Sequence, residues 1–214
     1  MKAFKSHCGL LATLDKANVD TDQIIPKQFL KMITRTGFGE YLFNDWRLSP
    51  DGMPNPEFEL NREEFRGASI LVSRSNFGCG SSREHAVWAI QQYGFEVVIA
   101  PLIKHQDSFV PAFADIFKNN SAKNGLLTVE LKESEVDEIF SLVEKHRSIK
   151  ADVDLEHQRV TLHLKEDDIS YPFDIDQAVK ERLINGHDEI SLTLLYDNDI
   201  CSFESQHDVQ LFKH

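Results

Sequence analysis

The sequence predicts a mixed α/β domain with a parallel sheet at its centre and an antiparallel addition towards its carboxyl end. Three observations carry this. Ala68 to Ser73 and Val97 to Ala100 are apolar runs of strand length, with a helical pattern, His85 to Tyr93, between them. A strand, a helix and a strand in so short a stretch form a right-handed parallel crossover. A further helical pattern, Pro111 to Asn119, and a strand, Leu126 to Leu131, repeat the alternation. Residues 151–164 then place Val153, Leu155, Val160, Leu162 and Leu164 around His157-Gln158, the alternation of a hairpin.

The remaining elements follow in order. Phe4 to Leu14 reads as a strand, Asp15 to Asp22 as turns, and Lys27 to Ile33 as a short helix entered through Pro26. Residues 44–67, broken by Pro50, Gly52, Pro54 and Pro56, read as an irregular surface excursion. Ser134 is the expected N-cap of a helix whose apolar face is Val136, Ile139, Phe140 and Val143. Residues 174–186 read as an amphipathic helix closed by Gly186. The expected organisation is one domain over residues 1–196 and a loose polar tail over residues 197–214.

The chain is 214 residues long, is 41% hydrophobic and carries a net charge of −12, a size and composition that support a real core. Acidic and basic side chains balance over residues 1–129, so residues 130–214 carry the whole excess. Such a chain is a poor partner for nucleic acid or an anionic membrane, and an anion site belongs in its neutral first part. Cys8, Cys79 and Cys201 are isolated, without CxxC or Cys/His spacing. A metal or iron–sulfur site built by this chain alone is therefore not expected, and a reducing compartment is. No signal peptide is recognised, and the longest apolar run, Val97 to Ile103, is far short of a membrane span; the expected location is cytoplasmic.

Chemistry concentrates where the strand 68–73 hands over to the helix 85–93. Between them runs Asn76-Phe77-Gly78-Cys79-Gly80-Ser81-Ser82-Arg83-Glu84-His85. A strand-to-helix junction offers unpaired amides and the positive end of a helix dipole, a natural anion site. Gly78 and Gly80 allow close backbone approach. Ser81 to Glu84 has the spacing of a capping box, so a well-capped helix is one reading of the loop. Arg83 favours the other, since a cation in the first turn opposes the dipole but suits a bound carboxylate. Cys79 as a nucleophile paired with His85 lacks an orienting group. A second cluster, Asp20-Thr21-Asp22-Gln23-Ile24-Ile25-Pro26-Lys27, brings more titratable groups together than an Asx turn needs.

The two stretches resemble a known family. Gly80-Ser81-Ser82-Arg83-Glu84-His85-Ala86 is similar to the signature of the C-terminal swivelling domain of the aconitase superfamily. Asp20 to Lys31, Thr36-Gly37-Phe38-Gly39 and Leu42-Phe43-Asn44-Asp45-Trp46-Arg47 resemble the small-subunit family of isopropylmalate dehydratases. The resemblance implies a swivelling β/β/α fold docked on a larger subunit that carries a [4Fe–4S] cluster, with no cofactor or metal bound by this chain. The implied reaction interconverts 2- and 3-isopropylmalate in leucine biosynthesis. A related hydroxy-dicarboxylate (citraconate, methylmalate or homocitrate) and a non-catalytic anion-binding module are the alternatives.

By the same resemblance, Ser81 is the general base and Ser82 and Arg83 hold substrate carboxylate. Asp22, Gly78 and Gly80 support the site, and Phe29, Leu30, Lys31 and Arg35 lie in the region that shapes the pocket. One departure stands out. The family usually runs from Ala-Pro directly into Ser-Phe-Ala-Asp, whereas here Leu102 to Val110 intervene between Pro101 and Pro111-Ala112-Phe113, on the side of the sheet where ligands bind.

Overall fold

The computed structural model describes residues 1–31, 34–104 and 108–206. Its strands are β1 (Ser6–Leu14), β2 (Ile70–Ser73), β3 (Val97–Lys104), β4 (Phe109–Val110), β5 (Leu127–Lys132), β6 (Lys150–Asp154), β7 (Arg159–His163) and β8 (Ile169–Pro172). Its helices are α1 (Thr21–Ile24), α2 (Asn44–Arg47), α3 (Glu84–Tyr93), α4 (Asp115–Asn124), α5 (Glu133–His146), α6 (Gln177–Asn185), α7 (Glu189–Leu194) and α8 (Asp197–Gln206). The strands form one mixed sheet, the architecture the sequence predicts. β5, β3, β2 and β1 lie side by side and parallel. From β1 the sheet continues antiparallel through β6, β7 and β8.

β1 changes partner halfway along. Ser6 to Leu10 pair with β6, and Leu11 to Leu14 pair with β2. β2 and the first five residues of β3 are buried at every position, as parallel strands covered on both faces must be. β6 and β7 bury only alternate residues, such as Ala151, Val153, Val160 and Leu162, and so cover a core on one face. α3 and α4 pack together, while α5 lies across β3, β5 and β1.

Several boundaries differ from the sequence reading, each for a local reason. The segment read as the start of a helix at Pro111 is extended, and α4 begins only at Asp115. Pro111 to Ala114 are bonded instead to the preceding loop: Asn76 N–H donates to the Pro111 carbonyl at 2.7 Å, Phe77 N–H to Ala112 at 2.9 Å, and Ala114 N–H to Phe77 at 3.0 Å. α5 starts at Glu133 rather than after a Ser134 cap. Lys132 takes the cap position, and the Glu135 carboxylate accepts its backbone N–H at 2.9 Å. The helix read from Lys27 is a 3₁₀ turn, Lys27–Lys31; Met32 and Ile33 lie outside the described residues.

The excursion 44–67 is ordered by amide side chains. Asn61 donates to the carbonyls of Arg47 and Asn55 at 2.7 Å each, and Asn55 to that of Trp46 at 3.0 Å. β8 was not anticipated, and β3 runs four residues past Ala100 into the inserted segment. Residues 197–206, read as loose, form α8, and residues 207–214 lie outside the described residues.

Candidate active site

The loops leaving β1 and β2 at their carboxyl ends are joined by backbone bonds. Asn18 N–H donates to Ser75 at 2.9 Å, Gly78 N–H to Val19 at 2.8 Å, and Thr21 N–H to Cys79 at 2.8 Å. Thr21 adds a side-chain link, its Oγ1 donating to the Ser81 carbonyl at 2.8 Å. The two sequence clusters therefore form one structure. Asp20 caps α1, its carboxylate accepting Asp22 N–H at 2.7 Å and its own N–H donating to the Gln23 side chain at 2.9 Å.

Two glycines set the loop's course. Gly78 has φ +74° and Gly80 φ +89°, a region that side chains adopt only with strain. A Cβ at Gly78 would stand 2.3 Å from the Phe117 ring, and one at Gly80 would stand 2.1 Å from an Asp20 carboxylate oxygen. Beneath the loop, Phe77 lies edge-on to Phe113 and Phe117, with ring centroids at 6.4 and 5.3 Å.

The capping box that the Ser81 to Glu84 spacing allows does not form. Arg83 occupies the N-cap position of α3 and no side chain caps the first turn. Glu84 instead accepts a bond from Asn124 Nδ2 at 2.9 Å. The first turn of α3 thus has no side-chain cap beside Ser81 and Ser82, both exposed, and of its amides Ala86 N–H donates to the Arg83 carbonyl at 3.2 Å. The Arg83 side chain is only 11% exposed and its Nη1 meets Asp22 Oδ1; among the described residues neither atom has another hydrogen-bond partner. The second Asp22 oxygen takes Lys27 Nζ at 3.2 Å. An arginine forced into a dipole-opposed position is balanced by a carboxylate from the neighbouring loop.

Of the residues singled out in the sequence, Asp22, Gly78, Gly80, Ser81, Ser82 and Arg83 come together in this way. Phe29 stacks on Tyr41 with centroids 3.9 Å apart, and Phe29 and Leu30 pack on the core. Lys31 is exposed. Arg35 lies over the Trp88 ring at 5.6 Å, and its carbonyl accepts from Gln92 at 2.7 Å, which ties this segment to α3. His85 packs between Phe38 and Trp88. Burial, and next the Asp20 charge, push the Cys79 thiol up, the wrong direction for a nucleophile. Thr21 and Lys27 lie inside the second sequence cluster, where neither was given a role of its own; the structure makes both parts of the site. The threonine's position opposite Ser81 is a tertiary fact, but the lysine's five-residue offset from Asp22 was readable.

Among the described residues no three His, Cys, Asp or Glu side chains are placed to hold a metal ion, and no helix is long and apolar enough to cross a membrane. What the loop can do is hold a carboxylate between a guanidinium and open helix amides, with two hydroxyls at hand.

The aconitase C-terminal domain family matches residues 1–134. The 3-isopropylmalate dehydratase small subunit of Desulforapulum autotrophicum is 53% identical over 206 residues, 96% of each chain. That of Geobacillus kaustophilus is 53% identical over 207 residues, 97% of this chain and 98% of its own. The crystal structure of 3-isopropylmalate dehydratase from Methanocaldococcus jannaschii superposes with a TM-score of 0.58 over 94% of this chain and 99% of that one. At 20% sequence identity that likeness bears on the fold.

Proposed function

The chain belongs to the aconitase C-terminal domain family, among the small subunits of 3-isopropylmalate dehydratases, and on that premise we propose how its loop edge takes part in catalysis. It is the small subunit of a hydro-lyase that interconverts 2- and 3-isopropylmalate by dehydration and rehydration in leucine biosynthesis. It acts with a large subunit. We place in that subunit the [4Fe–4S] cluster, because the cysteines here are dispersed, with Cys8 and Cys201 exposed and Cys79 half-buried. Bound there, an iron supplies the Lewis acidity that helps a hydroxyl leave. The free cysteines fit a cytoplasmic enzyme.

This chain's part is to hold the substrate and move a proton. Arg83, oriented by Asp22, and Ser82 take a substrate carboxylate. Ser81 Oγ removes the proton from carbon. A serine hydroxyl is a weak base, so its alkoxide needs stabilisation, and the uncapped amides of α3 are the group available to supply it. Gly78 and Gly80 let the loop run at positive φ close over Phe117 and Asp20, which holds those amides in place. Phe29, Leu30, Lys31 and Arg35 border the pocket for the substrate's isopropyl group.

The observation that carries this reading is the buried Arg83 guanidinium, fixed by Asp22 at an uncapped helix start beside two exposed hydroxyls. The test is an assay of the purified chain with and without its large subunit. The chain alone is expected to be colourless and inactive and the pair active; activity of the chain alone sinks the two-subunit site. Ser81→Ala is expected to lower turnover by about 10²–10⁴-fold while assembly, followed by size exclusion, is unchanged. Near-wild-type turnover refutes the base.

A further inference from the structure

The described part of the segment after Pro101, Leu102 to Lys104 and Phe109 to Val110, forms a wall at the edge that bears the catalytic loop. β2 ends at Ser73, level with Ala100 by the pairing of Val72 with Ile99. β3 continues to Lys104, about 13 Å further at the rise of a strand. There β4 folds back on it, Lys104 facing Phe109 and Ile103 facing Val110. The wall rises from the carboxyl edge that bears Ser81 to Arg83. It is joined to that loop through Pro111, Ala112 and Ala114, whose backbone bonds hold Asn76 and Phe77.

One face of the wall is built to receive something. Lys104 and Phe109 are cross-strand neighbours and share a face with Leu102. Phe109 is 67% exposed. It overlooks a cleft of about 540 Å³ lined by Leu102, Lys104, Phe109, Pro111, Phe113 and Lys118. Phe113 is the buried end of an aromatic cluster that reaches Phe77 and Phe117 under Gly78. The charges around the cleft cancel: Lys118 pairs with Glu130 at 2.7 Å, and Lys104 and Asp115 oppose in sign. An exposed aromatic over an apolar floor with a neutral rim suits an apolar side chain, not an ionic ligand.

We propose that this wall is a docking element for the large subunit, with Phe109 as its anchor and an apolar side chain of that subunit seated in the cleft. The proposal rests on the functional reading above, since the wall and the loop that bears Ser81 leave the same carboxyl edge of the sheet. A second copy of the chain is the poorer occupant, because two chains of net charge −12 repel. Docked in this way, the wall extends the contact between the subunits.

The experiment titrates the small subunit into a fixed amount of its large subunit. It reads the concentration for half-maximal assembly and the turnover at saturation, for the wild type, Phe109→Ala, Phe109→Glu and a control, Met53→Glu, whose side chain is exposed on the 44–67 segment. Thermal melting of each isolated chain checks folding. The expected result is a tenfold or greater rise in the half-maximal concentration for Phe109→Glu. A smaller rise is expected for Phe109→Ala and none for the control, with saturated turnover within threefold of wild type. Unchanged assembly of Phe109→Glu overturns the proposal. So does a loss of saturated turnover without weaker assembly, or a change confined to self-association of the small subunit. Failure of the wild-type pair to assemble or turn over defeats the functional reading itself, an outcome read before any variant is made.

Discussion

At the scale of the residue, the site is a solved electrostatic conflict. Arg83 sits where a helix dipole opposes a cation and is held there by Asp22, itself shared with Lys27. Asp22→Asn removes the charge that orients the guanidinium. A small misplacement of a substrate-holding group costs about 10²-fold, so steady-state kinetics of the two-subunit enzyme should show kcat/KM lower by that order, with assembly intact. Arg83→Lys should not recover wild-type activity, because an ammonium cannot replace a planar fork. Gly80→Ala acts differently. It forces a side chain into φ +89° and against Asp20, a strain of about 1–3 kcal/mol that urea unfolding of the isolated chain should register.

At the scale of the element, the sequence revealed periodicity and hid everything that depends on contact between distant segments. α3, β2 and β5 were legible because their apolar patterns are strong, and Gly94 marks the end of α3 with φ +124°. The late start of α4 was not, because Pro111 to Ala114 are claimed by Asn76 and Phe77 from another loop. The Ser81 capping box was a sound local inference that lost to a tertiary one, the Arg83–Asp22 pair. At the site, six residues were legible as a motif and the Asp22–Lys27 offset was readable, while the bond from Thr21 to the Ser81 carbonyl was not.

The antiparallel strands carry their own titration. His163 on β7 contacts Asp152 on β6 and Asp168 near β8, each at 3.0 Å. Asp152 first, and Asp168 next, raise its pKa above 6.5. Its contribution to stability is complete below the unfolded value of 6.5 and fades as pH rises through the folded value. His163→Gln should therefore flatten the loss of stability on the alkaline side of pH 6.5, measured as melting temperature against pH. The ring is 37% exposed, so salt should shrink the effect.

At the scale of the whole molecule, we take residues 1–196 as the folding unit. Side chains of α8 from Asp197 to Glu204 are exposed, and an exposed terminal helix adds little to a core. A chain ending at Tyr196 should melt within a few degrees of the full-length protein, about the shift that 1 kcal/mol produces at this size. The divided pairing of β1 has a different consequence, one of timing. The strand made first needs β2 for its second half and β6 for its first, and Ser6 meets Asp154. With synthesis at about 5–20 residues per second, Ser6 to Leu10 wait about 7–30 s on the ribosome for a partner. Through that interval the nascent chain presents an unpaired strand edge, the state most open to mispairing.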